Sequence, residues 1–299
     1  TRSQGTFRPA SARRNVLYLK TGRGGNMAMA VNAAKARLKR NQLAVGIGVR
    51  LVRNVDIIKV MKAAGFDWLF LDLEHGSMSI ETACEVSTAA QDSGIAPVVR
   101  VPYGELAMAT RVLDGGALGI VIPHVDTAEE AREIADRLRY PPLGHRSVGG
   151  GQAQFDYAPM KMADMTKRSN DNTLITVMIE TPKAVRNAEA IAAVPGIDCL
   201  LVGSSDLSME MGIPGENGHP KIQEAVDKVI AACKKHRKFP GMGGAYSEEL
   251  LQLYIGKGMK LLLAGNDLPM LTNAARSHQA KVRAMQKVRA KPKAAAKKK

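Results

Sequence analysis

Eight short apolar runs, the amphipathic segments between them, and the polar residues that end the runs predict a (β/α)8 barrel. The runs are residues 43–49, 68–73, 97–101, 119–125, 174–179, 199–202, a weaker 241–245, and 260–264. Most are near-continuous in apolar character, as parallel strands buried on both faces are. The segments between them carry helix signals. Thr127 and Glu130 form a capping-box pair ahead of Ala131, Ile134, Ala135 and Leu138. Thr181-Pro182 sets a cap residue before a proline suited to the first helical position. Ser247 precedes Glu248-Glu249, whose charges favour a helix N-terminus. Ile222, Val226, Val229, Ile230 and Cys233 mark one face of another helix. A doubly wound open sheet is the alternative. It usually carries a Gly-rich first turn, and none follows the first run.

Composition narrows the function classes. The chain of 299 residues is 45% hydrophobic, which is enough to bury a core and excludes overall disorder. No run of about 20 apolar residues is present to span a membrane. Cys84, Cys199 and Cys233 lie far apart without metal spacing, which excludes a disulfide framework and a zinc finger. The net charge of +15 points toward nucleic acid, but its distribution points away. Residues 1–55 hold 12 basic and no acidic side chains, and residues 276–299 hold 10 and none. The stretch 56–275 holds 21 basic and 28 acidic side chains, a net of −7. With no basic patch interleaved with aromatics, a nucleic-acid-binding protein is only the non-enzymatic alternative.

Three regions follow. Residues 1–40 form a basic N-terminal extension, residues 41–275 the barrel, and residues 276–299 a basic C-terminal tail with a low-complexity end, read as solvated and disordered. The first 26 residues contain Arg and Ser and no acids, as a transit-type extension does; start-site choice, with Met27 or Met29 as a natural first residue, is the preferred reading. They lack the apolar core of a secretory signal, so the expected location is the cytoplasm.

Barrel chemistry sits where strands run out into the following loops. Here those points read Asp72-Leu73-Glu74-His75, Arg100-Val101-Pro102, Pro123-His124, Glu180-Thr181-Pro182, and Gly203-Ser204-Ser205-Asp206. One acid at a strand end is often a helix cap; five polar ends on one rim are harder to explain that way. Glu180 and Asp206, from neighbouring strands, can share a hard divalent cation and leave positions open for substrate oxygens. Arg100 is a fixed cation suited to a carboxylate or a developing oxyanion. His75 carries an imidazole and is the general acid/base candidate. Backbone donors at Gly203, Ser204 and Ser205 suit an anionic carboxylate.

These stretches, with Gly65-Phe66-Asp67-Trp68, Leu113-Asp114-Gly115-Gly116-Ala117, Tyr140-Pro141-Pro142-Leu143-Gly144-His145-Arg146 and Asp206-Leu207-Ser208, resemble the HpcH/HpaI aldolases, metal-dependent pyruvate aldolases related to the citrate lyase β-subunit. The resemblance runs over about residues 40–275 in one order. It implies that Glu180 and Asp206 bind Mg2+, Mn2+ or Co2+, and that this metal chelates pyruvate and acidifies its methyl group. It implies that Arg100 stabilises the enolate and that His75, paired with Asp114, moves the aldol proton. The backbone around Ser205-Asp206, with Gly203 and Ser204 beside it, takes the pyruvate carboxylate. The reaction implied is reversible cleavage of a 4-hydroxy-2-oxo acid into pyruvate and an aldehyde. A homo-oligomer is implied too, commonly a hexamer that exchanges C-terminal helices, for which residues 268–285 are the candidate segment.

Two positions depart from the family pattern. Met178 stands where many members have Gln, and a thioether donates no hydrogen bond. Ser204-Ser205 replaces the more usual Pro-Ala and adds hydroxyls near the carboxylate site. Asp72 and Glu74 are read as supporting residues rather than metal ligands. His124 and Arg146 are possible rim and substrate contacts. A citrate- or malyl-CoA-type lyase on the same barrel is the second enzyme reading, with Arg139 and Arg146 as its only phosphate candidates.

Overall fold

The computed structural model describes residues 29–149 and 152–289. Expectations for residues 1–28 and 290–299 lie outside the described residues. In chain order the elements are α1 (Ala33–Lys39), β1 (Ala44–Val49), α2 (Asp56–Ala63), β2 (Trp68–Asp72), α3 (Ile80–Ser93), β3 (Ala96–Arg100), α4 (Leu106–Asp114), β4 (Gly119–Ile122), α5 (Ala128–Leu138), a 3-10 turn (Ala153–Phe155), α6 (Met162–Asn172), β5 (Leu174–Ile179), α7 (Pro182–Ala192), β6 (Cys199–Gly203), α8 (Ser204–Glu210), α9 (Pro220–His236), β7 (Phe239–Gly243), α10 (Glu248–Lys257), β8 (Leu261–Asn266) and α11 (Asp267–Arg289). The eight strands pair in sequence order, all parallel, and β8 closes on β1. The apolar runs therefore correspond one to one with the strands of a (β/α)8 barrel.

The helix signals act as read. Thr127 accepts from the Glu130 N–H while Glu130 Oε2 accepts from the Thr127 N–H, a complete capping box on α5. Thr181 and Ser247 cap α7 and α10 through their hydroxyls. Two cores result. Trp68, Phe70, Val98, Val121, Met178 and Leu201 belong to the cluster that fills the barrel, and a larger cluster packs the helices onto its outside.

The ends of the barrel region differ from the expected boundaries. The helix α1, inside the expected extension, buries Ala34, Lys35 and Leu38. Lys35 Nζ donates to Thr173 O at 2.6 Å and pairs with Asp198. Buried polar contacts of this kind make α1 part of the barrel's N-terminal face. At the other end α11 runs unbroken through residue 275 to Arg289, so the expected start of the tail falls inside a helix.

Candidate active site

The C-terminal ends of the strands surround a cavity of about 270 Å³. Strand register builds it. Asp72 and Arg100 are Cα partners in the β2–β3 ladder, so their side chains emerge together. Arg100 donates from Nε to Asp72 Oδ1 at 3.0 Å and from Nη2 to Asp72 Oδ2 at 2.7 Å. Its Nη1 lies 2.9 Å from Glu74 Oε2, an ion pair without hydrogen-bond geometry. Asp72 is fully buried; it also takes Arg50 Nε at 2.6 Å and the N–H groups of Glu74 and His75. Burial alone would raise the Asp72 carboxyl, but Arg100, Arg50 and the His75 N–H overcome it and hold it below the usual carboxylate range. Asp72 and Glu74 thus hold the guanidinium in place as supporting residues, and Arg100 lines the cavity.

Glu180 follows β5, where Ile179 pairs with Val202, so its carboxylate lies beside Gly203. A Cβ at Gly203 would come 2.4 Å from Glu180 Oε1; glycine leaves the carboxylate its space. Oε2 accepts the His124 N–H at 3.0 Å, and Oε1 is buried with no hydrogen-bond partner among the described residues. Burial pushes the carboxyl up to about 8; the His124 N–H opposes this and the charge of Asp206 adds to it. Asp206, in the first turn of α8, lines the same cavity. A buried carboxylate oxygen without a donor, facing a second carboxylate, fits an oxygen-coordinated divalent cation. Among the described residues no group of three or more His, Cys, Asp or Glu is placed to hold a metal ion.

His75 reaches the cavity with about half of its side chain exposed, and its Nε2 lies 3.8 Å from Glu74 Oε2. The expected His75–Asp114 pair does not form within the chain. Asp114 is the last residue of α4, and a helix that leaves the C-terminal end of one strand finishes at the N-terminal end of the next. Asp114 instead accepts from Arg146 Nη2 at 2.6 Å. Ser204 lines the cavity too; its side chain is buried, and its hydroxyl donates to Gly243 O at 3.0 Å and braces β7. Ser205 is exposed at the cavity edge.

The phosphate candidates of the CoA-lyase reading are committed elsewhere. Arg146 is buried between Asp114 and the Tyr140 ring, 4.8 Å from its centroid. Arg139 is buried and donates to Asp198 Oδ2 at 2.6 Å. His124 supplies its backbone N–H to Glu180, and its ring stands edge-on to Tyr103.

The cavity lining also includes residues that the sequence did not single out, among them Arg50, Phe70, Tyr246 and Asn266. Arg50 is the first residue past β1, and the rule that polar strand ends face the chemistry would have found it. Met178, Leu201 and Leu263 give the cavity an apolar wall.

The chain matches the model of the HpcH/HpaI aldolase/citrate lyase family over residues 51–290. It is 40% identical over 225 residues to a 4-hydroxy-4-methyl-2-oxoglutarate aldolase of Hapsidospora irregularis, covering 74% of this chain and 83% of that one. It is 32% identical over 244 residues to a 4-hydroxy-2-oxo-heptane-1,7-dioate aldolase of Escherichia coli, covering 82% and 92%. The crystal structure of an HpcH/HpaI aldolase from Desulfitobacterium hafniense superposes with a TM-score of 0.77 at 32% identity, covering 86% of this chain and 97% of that one. With its closed parallel barrel and the grouping of Glu180, Asp206 and Arg100 at one mouth, the chain belongs to the HpcH/HpaI aldolase/citrate lyase family.

Proposed function

We propose that this protein is a divalent-metal-dependent carbon–carbon lyase that reversibly cleaves a 4-hydroxy-2-oxo acid into pyruvate and an aldehyde. The observation that carries the reading is the buried Glu180 Oε1, unpartnered among the described residues, in one cavity with Asp206 and a guanidinium fixed by Asp72. Glu180 and Asp206 would hold the cation, Mg2+, Mn2+ or Co2+, which when bound supplies Lewis-acid polarisation of the 2-oxo acid.

In the cleavage direction the C4 hydroxyl loses its proton, the C3–C4 bond breaks, and its electron pair passes into the enolate of pyruvate. Protonation at C3 then gives the methyl group. Arg100 lines the cavity and has Nη protons that Asp72 and Glu74 do not take, left to meet the negative charge that grows on the keto oxygen. Because Asp72 fixes the guanidinium beforehand, little reorganisation is needed when that charge appears. His75, half in solvent at the rim, is placed to take the hydroxyl proton directly or through one water. The backbone at Gly203 and Ser205 borders the position of the pyruvate carboxylate. Met178 sets apolar surface, not a donor, beside the donor substrate.

Both relatives named above act on dicarboxylates, and we read this chain's substrate as a 2-oxo acid with a second carboxylate. A homo-oligomer formed through α11 belongs to the same reading, and so does a cytoplasmic location; among the described residues no helix is long and apolar enough to cross a membrane.

Deuterium exchange into the pyruvate methyl group, followed by NMR, tests the reading. Exchange should need added Mn2+ or Mg2+ and should drop by about 100-fold or more in Glu180→Ala, Asp206→Ala or Arg100→Ala. Full exchange in metal-stripped protein would overturn it.

A further inference from the structure

Arg50 stands on the far side of the barrel from the two metal-site carboxylates: it follows β1, four strands from β5, which carries Glu180. Its backbone is clamped. Asp267, at the start of α11, accepts the N–H groups of Arg50, Leu51 and Val52 at 3.1, 2.8 and 2.8 Å. Its side chain is anchored at one point only, Nε to Asp72 Oδ2 at 2.6 Å. Both terminal nitrogens, Nη1 and Nη2, have no partner among the described residues. The side chain is 36% exposed and lines the cavity at its mouth. Next to it, Asn266 pairs with Gly48, is buried, and leaves its Oδ1 without a partner among the described residues. A Cβ at Gly48 would fall 2.0 Å from that oxygen, so glycine makes the room that the Asn266 amide occupies. At the mouth, the wall formed by β8 and β1 therefore presents two polar side chains, Arg50 and Asn266.

A guanidinium fixed through Nε and free at both Nη atoms presents a planar two-donor fork, the geometry that pairs with a carboxylate. The donor half of the reaction uses Arg100, Glu180 and Asp206, so Arg50 is left for the other half. The acceptor must approach C3 of the enolate from the open side of the cavity, which puts its far end at the mouth. We infer that Arg50 is the acceptor subsite and grips the terminal carboxylate of an oxo acid, so that the enzyme selects anionic over neutral aldehydes.

This inference rests on the aldolase reading, and its test separates the two. The acceptors are 4-oxobutanoate, which carries a terminal carboxylate, and pentanal, a neutral aldehyde of similar length, each with pyruvate and Mn2+. The quantity read is the ratio of kcat/KM for the two acceptors within one protein, so that a general loss of activity cancels. The wild type should favour 4-oxobutanoate. Arg50→Gln should lower the ratio by about 10- to 100-fold, and Arg50→Lys by less, since it keeps charge without the fork. A ratio unchanged in Arg50→Gln, or no preference in the wild type, would overturn the subsite and leave Arg50 a brace for Asp72. If the wild type shows neither turnover nor pyruvate exchange, the aldolase reading fails instead. The subsite is then read by Tm: succinate should stabilise the wild type more than Arg50→Gln, and equal shifts would refute it.

Discussion

Glu180 shows how one residue can be poorly suited to the fold and well suited to a site. Its charge is disfavoured by burial, and among the described residues only the His124 N–H donates to it. A carboxyl raised from about 4.5 to about 8 binds a proton in the folded chain that the unfolded chain has already released. Between those values folding stability of the metal-free protein falls as pH rises, and above about 8 the full cost is present. Glu180→Gln removes the ionisable group but keeps the shape. With a chelator present, its urea midpoint should match the wild type near pH 4 and exceed it increasingly up to about pH 8, with no further gain beyond. The same variant should lose Mn2+ binding, measured by the free-Mn2+ signal in electron paramagnetic resonance. A variant less stable than the wild type at about pH 9 would show that the carboxylate has a partner the structure does not give it.

At the scale of elements, the end of the barrel opposite the site is held by charge. Asp198, just before β6, joins Lys35 of α1 at 3.0 Å, Arg139 at 2.6 Å and the Ile175 N–H of β5 at 2.8 Å. Burial opposes the Asp198 charge, but Arg139 and Lys35 outweigh it and hold the carboxyl below its usual range. The stabilisation is in place above about pH 4 and is lost as pH falls through the folded-state value. Lys35 itself is pushed down to about 8, chiefly by burial, with Asp198 holding it up. Asp198→Asn would strand two buried cations and should cost about 3–5 kcal/mol in a urea titration near neutral pH, a difference that shrinks in acid. This network was not legible in the sequence, because Lys35, Arg139 and Asp198 are far apart in the chain and only barrel closure joins them. The strands were legible because burial on both faces leaves unbroken apolar runs, and the caps of α5, α7 and α10 because capping is local. Glu180, Asp206 and Arg100 were legible because parallel strands deliver their ends to one rim. That Asp114 does not reach His75 within the chain was not legible because a motif gives no direction: it ends a helix, which carries it to the other end of the barrel. Arg50 was overlooked because the loop after β1 shows no other signal.

For the whole molecule, α11 is the element that its own barrel does not explain. Its 23 residues span about 34 Å, yet from residue 273 onward its side chains are exposed through residue 285. Leu268, Leu271, Val282 and Met285 are each at least half exposed. With Ala275 and His278 they recur at intervals of three and four, the spacing of one seam along a helix that packs against another. A helix of this length, charged on its other faces, gains little from propensity alone and needs a partner surface. A second copy of the chain supplies one under the homo-oligomer reading, and α11 then ties assembly to the site, because Asp267 in its first turn fixes the backbone of Arg50. Val282→Glu with Met285→Glu places charge on the far end of the seam and leaves the barrel's own contacts untouched. The double variant should elute with the mass of a smaller assembly in size-exclusion chromatography with light scattering, with unchanged far-UV circular dichroism. If the native mass is that of one chain, or if the double variant keeps the native mass, the seam is a solvated surface and assembly does not run through it.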